Sequence, residues 1–202
     1  MDINELIKAA HENAVAHGFW ESDRPFAEQI ALMHSELSEA LEEFRDGREL
    51  NEVYHSCQYS KEHNVPLGHC RKNITCAQCE YGKPEGIPIE FADTVIRIGD
   101  YLGHEKVNAE RTIDDDGIDA TDKDWIPEHI RKDMKTFQGF IAAGHWLLSH
   151  AYQYRIGTWS TLIFTVLAIE EFCQNNGIDL EKAIRLKMEY NKTRPYKHGK
   201  KI

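Results

Sequence analysis

An all-α fold, a helical bundle, is what the sequence predicts, and three observations predict it. Apolar residues recur at three- and four-residue steps along 3–17, 27–46 and 89–102, the period of a helix with one buried face. Residues suited to cap or stop helices stand at the expected places, with Gly18, Gly47 and Gly177 after candidate ends and Asp179 before a candidate start. The two most apolar stretches, 134–153 and 159–176, are too long for typical strands and contain no proline.

Taken in order, the first helix over 3–17 carries Ile3, Leu6, Ile7, Ala10 and Ala14 on one face and stops at His17-Gly18. FWESDRPF at 19–26 connects it to a second helix over 27–46, whose stripe is Ile30, Met33, Leu37, Leu41 and Phe44. A third helix fits IEFADTVIRIGDYL at 89–102, with Phe91, Val95, Ile98 and Leu102 recurring, after the boundary GKPEGIP. Segments 134–153 and 159–176 follow, the latter rich in β-branched residues. A last helix, LEKAIRLKMEYN, is capped by Asp179 and ends before Pro195. Such faces bury themselves by packing together, so residues 1–202 read as one helical domain. The connections at about 48–86 and 104–133 are too long for a minimal bundle and read as insertions.

The chain has no apolar run of the roughly 18 residues that would span a bilayer, and its N-terminus is amphipathic with acids, unlike a signal peptide. A cytoplasmic location is expected. A net charge of −10 argues against broad binding to nucleic-acid polymers or anionic membranes. The stretch from Lys182 onward is basic, which suits either a solvated tail or cations held near a phosphorylated ligand.

Glu36, Glu39 and Glu43 lie along one line of the second helix, where neighbouring acids repel. Glu36 and Glu39 form one i, i+3 pair, and Glu90 and Asp93 form another on the third helix, with Arg97 and Asp100 continuing that flank. If the two helices are antiparallel neighbours, four carboxylates converge. They cannot all stay ionised unaided, because each raises the pKa of the others, and a divalent cation removes the conflict. All-oxygen ligands suit Mg²⁺ or Mn²⁺. A solvated helix face is the alternative reading of each pair. His34 stands two residues before Glu36, but helix geometry points it elsewhere, toward a packing role.

Glu-x-x-Glu followed by Glu-x-x-Asp resembles the MazG-like, all-α nucleoside triphosphate pyrophosphohydrolases, a superfamily that includes the dimeric dUTPases. The words HGFWE at 17–21, HSELSEALEEFRDGR at 34–48, IEFADTVIRIGDYL at 89–102 and GIDLEKAIRLKMEYNKTRPYKHGKKI at 177–202 are similar to that family, the last to a bacterial and phage branch. The resemblance implies a bundle in which Glu36, Glu39, Glu90 and Asp93 bind Mg²⁺. It implies hydrolysis of a nucleoside triphosphate to monophosphate and pyrophosphate by water attack at the α-phosphorus, with Glu36 or Glu39 accepting the water's proton. A dUTPase-like activity that also accepts diphosphates, or a catalytically silent nucleotide-binding module, is the alternative. Lys187, Asn191 and Arg194, on one face at steps of four and three, would meet phosphate or sugar, with Lys197 and His198 closing over them. The plain alternative is cations at a helix C-terminus. Trp20 would stack on a base or plug the core. A homodimer or homotetramer is implied by the same resemblance.

The sequence departs from that pattern between the two acidic pairs, where about 50 residues intervene. They hold Cys57, Cys70, Cys76 and Cys79, four of the five cysteines. Cys76-Ala-Gln-Cys79 is a C-x₂-C knuckle, and in a reducing compartment clustered cysteines favour a structural Zn²⁺ over disulfides. The other gaps are not a standard finger spacing, which leaves His55, His63 and His69 as substitute ligands, and free thiols as another reading. Cys173, in an apolar helix, reads as a core residue.

Overall fold

The computed structural model describes residues 1–56, 82–117, 123–154 and 157–199. Among these, the chain opens with α1 (Ile3–Ala16), capped by the Asp2 carboxylate accepting the Glu5 N–H, and α2 (Phe26–Arg45), entered after Pro25. Strand β1 (Tyr54–Ser56) pairs antiparallel with β2 (Lys83–Glu85), Tyr54 opposite Glu85 and Ser56 opposite Lys83. Then come α3 (Ile87–His104), α4 (Ala109–Asp116), α5 (Glu128–Asp133), α6 (Phe137–Gln153), α7 (Thr158–Asn175) and α8 (Leu180–Lys192). A 3₁₀ turn, Tyr196–Gly199, follows α8. No described helix is long and apolar enough to cross a membrane.

Helix α3 is the axis of the molecule. It packs against α1, α2, α7 and α8, and its burial runs all round rather than along the single stripe expected from Phe91, Val95, Ile98 and Leu102. A helix apolar on every side belongs inside a bundle. Two short residues let α1 come close: a Cβ on Gly103 would stand 2.5 Å from the His11 Cβ, and one on Gly99 would stand 3.4 Å from the Ala10 Cβ. On its other side α2 runs antiparallel to α3. Phe26 stacks on Tyr101 at 4.8 Å between ring centroids, whereas Glu36, further along α2, pairs with Arg97, earlier on α3. Helices α6 and α7 close the bundle through an aromatic cluster in which Phe140 stacks on Phe172 at 4.2 Å.

The described parts of the two long connections are anchored to the bundle. Arg48 lies over the Tyr54 ring at 4.0 Å, the Tyr54 hydroxyl donates to Glu43 of α2 at 2.9 Å, and the β1–β2 pair leads directly into α3. The described residues are mostly helical, in keeping with the all-α expectation, with one two-stranded sheet added to the bundle. The stretch 104–133 carries α4 and α5. It is anchored by Ile126, 1% exposed, and by the Ala109 N–H donating to the Asn4 side chain at 2.8 Å. Cys57, Cys70, Cys76 and Cys79, with His63 and His69, lie outside the described residues, as do 118–122 of the second long connection. Cys173 is in the core as expected, and burial pushes its thiol up.

Candidate functional site

The antiparallel pairing of α2 with α3 brings three of the four expected acids together. Oxygens of Glu36, Glu39 and Glu90 all lie within 4.8 Å of one another. Mg–O distances of about 2.0–2.1 Å put ligand oxygens roughly 3–4 Å apart, so small rotamer adjustments would close the triad on an ion. Glu36 and Glu90 are buried and Glu39 faces solvent. Gly86 places Glu90. At φ +112° it turns the chain sharply from β2 into α3, and a Cβ there would stand 2.3 Å from the Glu52 carbonyl oxygen. Glu90 falls in the first turn of α3, where the helix dipole favours negative charge.

That dipole does not offset burial. Desolvation, reinforced by the charge of Asp93, pushes the Glu90 carboxyl up to about 8. Asp93 is likewise raised, chiefly by burial, and Glu39, open to solvent on one side, is raised by partial desolvation and by the charge of Glu36. Oε2 of Glu90 is buried and makes no hydrogen bond among the described residues. A buried carboxylate oxygen without a donor is costly, and a cation shared with Glu36 and Glu39 is the partner this donor set fits.

Asp93 stands apart from the triad because it is held by Lys187, with Nζ 2.5 Å from Oδ2. Glu36 is likewise engaged by the Arg97 Nε at 2.5 Å. A third cation, Lys83 of β2, pairs with Glu85 at 2.7 Å and feels the charges of Glu90 and Asp93. Four acids are thus ringed by three cations. Glu43, the third acid of the line on α2, is not one of the four. Tyr54 and Arg48 hold it at the base of the sheet.

A cavity of about 310 Å³ adjoins the cluster. Its charged and polar side includes the cations Arg24, Arg97, Lys187 and Arg194, the acids Glu28, Asp93 and Asp100, and Asn191. Ala10 and Ala14 of α1, Phe19 and Ile96 form an apolar wall. Helix α8 therefore delivers Lys187, Asn191 and Arg194 to one space, as their spacing foretold, and both Lys187 and Asn191 are buried.

Of the two residues expected to close over the site, Lys197 has its ammonium 3.9 Å from Glu21 and its N–H donating to the His17 carbonyl at 2.9 Å, whereas His198 lines the cavity, its ring 4.8 Å from that of Phe19. Trp20 plugs the structure. Its ring stacks on His104 at 3.8 Å and its N–H donates to Asp100 at 2.7 Å, so Phe19 is the aromatic that faces the cavity. His34 packs as expected, stacked on His145 with their Nδ1 atoms 2.8 Å apart.

Sequence reasoning missed Lys83, Phe19 and Arg24, a buried cation lining the cavity and paired with Glu28 at 2.7 Å. The i, i+4 spacing of Arg24 and Glu28 was the available signal. Lys83 had none, since only the sheet brings it to the acids. No family model matches this chain, and neither a curated protein nor a solved structure matches it.

Proposed function

We propose that the protein hydrolyses nucleoside triphosphates to nucleoside monophosphate and pyrophosphate with the aid of Mg²⁺ or Mn²⁺. The observation that carries this reading is the carboxylate triad, with an orphaned buried oxygen on Glu90, linked through Asp93 and the Glu36–Arg97 pair to a cavity that Arg24, Arg97, Lys187 and Arg194 line together with the acids Glu28 and Asp100. The sequence words that resemble MazG-like enzymes support it. Glu36, Glu39 and Glu90 would hold the ion, with Asp93 as a further ligand. When bound, such an ion supplies charge neutralisation at the phosphates and a more acidic water.

The chain's own residues supply the rest. Lys187, Arg97 and Arg194 face the cavity as phosphate contacts, and phosphoryl transfer depends mostly on such positioning and electrostatic stabilisation. The apolar wall of Ala10, Ala14 and Phe19 takes the nucleoside. Water attacks the α-phosphorus, the bond from that phosphorus to the bridging oxygen breaks, and pyrophosphate leaves with the electron pair. Glu39 accepts the water's proton. Among the described residues it has no ion-pair partner, whereas Glu36 is engaged by Arg97.

Incubation of the purified chain with Mg²⁺ and a panel of canonical and modified triphosphates, with products separated by chromatography, tests the reading. Monophosphate and pyrophosphate are expected. Glu39→Gln should lower turnover by about 10²–10⁴-fold while the protein stays folded. Orthophosphate as the product would overturn the reaction class, and unchanged turnover in the variant would overturn the role of Glu39.

A further inference from the structure

On the reading above, the carboxylates must become available to an ion. Two of the four acids are already engaged by cations, Asp93 by Lys187 and Glu36 by Arg97, each at 2.5 Å. Both cations also line the adjoining cavity, which has room for them to turn into it. We propose that Lys187 and Arg97 are exchangeable counter-ions. A phosphate chain entering the cavity draws them off Asp93 and Glu36 and so frees those carboxylates for a divalent cation.

Burial dictates the direction. Lys187 is 2% exposed, and a buried ammonium must remain paired. A divalent cation arriving alone would compete with Lys187 for Asp93 and strand the ammonium in a desolvated place. Arriving with a polyphosphate, it leaves Lys187 with a new anionic partner a side-chain rotation away. Arg97 has less at stake, being one-third exposed, so Lys187 carries most of the coupling. Linkage makes the effect reciprocal, each ligand tightening the other.

The test measures Mn²⁺ affinity of the full chain by electron paramagnetic resonance, with and without inorganic pyrophosphate, corrected for Mn²⁺ complexed by pyrophosphate itself. Pyrophosphate is expected to tighten Mn²⁺ binding about fivefold or more. Lys187→Met should bind Mn²⁺ more tightly than the parent when pyrophosphate is absent, and should lose the enhancement. Arg97→Leu, less buried and so less hazardous to folding, should show the same change in smaller degree, with thermal unfolding confirming that each variant is folded. Mn²⁺ binding that ignores pyrophosphate in the parent, or an enhancement undiminished in both variants, overturns the exchange while leaving the metal-binding reading intact. Absence of Mn²⁺ binding under every condition overturns that reading and the exchange with it.

Discussion

Among the described residues, the acids of α2 and α3 differ in their partners. Glu43 settles against Tyr54 and Arg48, whereas Glu90 has a bare oxygen and is pushed up to about 8. The line of glutamates on α2 is therefore two arrangements, a pair that converges with Glu90 and an anchor for the sheet, and spacing alone could not divide them. The i, i+3 pairs themselves were legible because helix geometry fixes which side chains share a face. The choice between the two readings of Trp20, base stacking or core plug, was not, because it depends on His104 and Asp100 arriving from α3. The His34–His145 pair gives a pH prediction. Burial lowers both rings below the usual histidine value, with the neighbouring ring adding to the effect on His34. Groups with a depressed folded pKa contribute stability above their unfolded value, near 6.5, and lose it as pH falls through the folded value. The thermal midpoint should therefore drop on acidification below about pH 6.5. His145→Gln should flatten that dependence in unfolding scans, and an unchanged slope would remove the pair as its source.

Long helices declared themselves and short elements did not. Helix α2 was expected over 27–46 and spans Phe26–Arg45, because two stripes' worth of periodic residues average out local ambiguity. Strands of three residues are too brief to show an alternation, so β1 and β2 were read as loop. Helix α5, six residues with none buried, likewise offers no apolar stripe to recognise. Between β2 and α3, Gly86 is the joint on which the position of Glu90 depends. Gly86→Ala should destabilise the protein by about 1–3 kcal/mol, from strain at a positive φ and the close Glu52 carbonyl. The measure is urea denaturation. A loss well under 1 kcal/mol would mean that the joint relaxes freely.

Charge is segregated across the whole molecule, an acidic body with a basic last helix folded back on its own start. The 3₁₀ turn after α8 docks on the segment after α1 through the Lys197 N–H, Tyr196 to Glu21, and His198 against Phe19. The apolar faces implied this bundle, but the mutual approach of residues near 19 and near 198 required the tertiary fold. Truncation after Thr193 removes Arg194 and His198 from the cavity. It should raise KM about tenfold or more with a smaller change in kcat, since it strips binding groups and leaves the acids in place. Ala14→Leu, filling the apolar wall, should raise KM for nucleotides without weakening Mn²⁺ binding, which titration would check. The short sheet carries one last consequence. Ser56 and Lys83 face each other across a ladder whose strands stand about 5 Å apart. The two ends of the segment between them are thus already clamped together. Loop-closure entropy grows only slowly with length, so this doorway in the chain should accept a two-residue Asn-Gly turn or a whole grafted module alike, with the bundle behind it undisturbed.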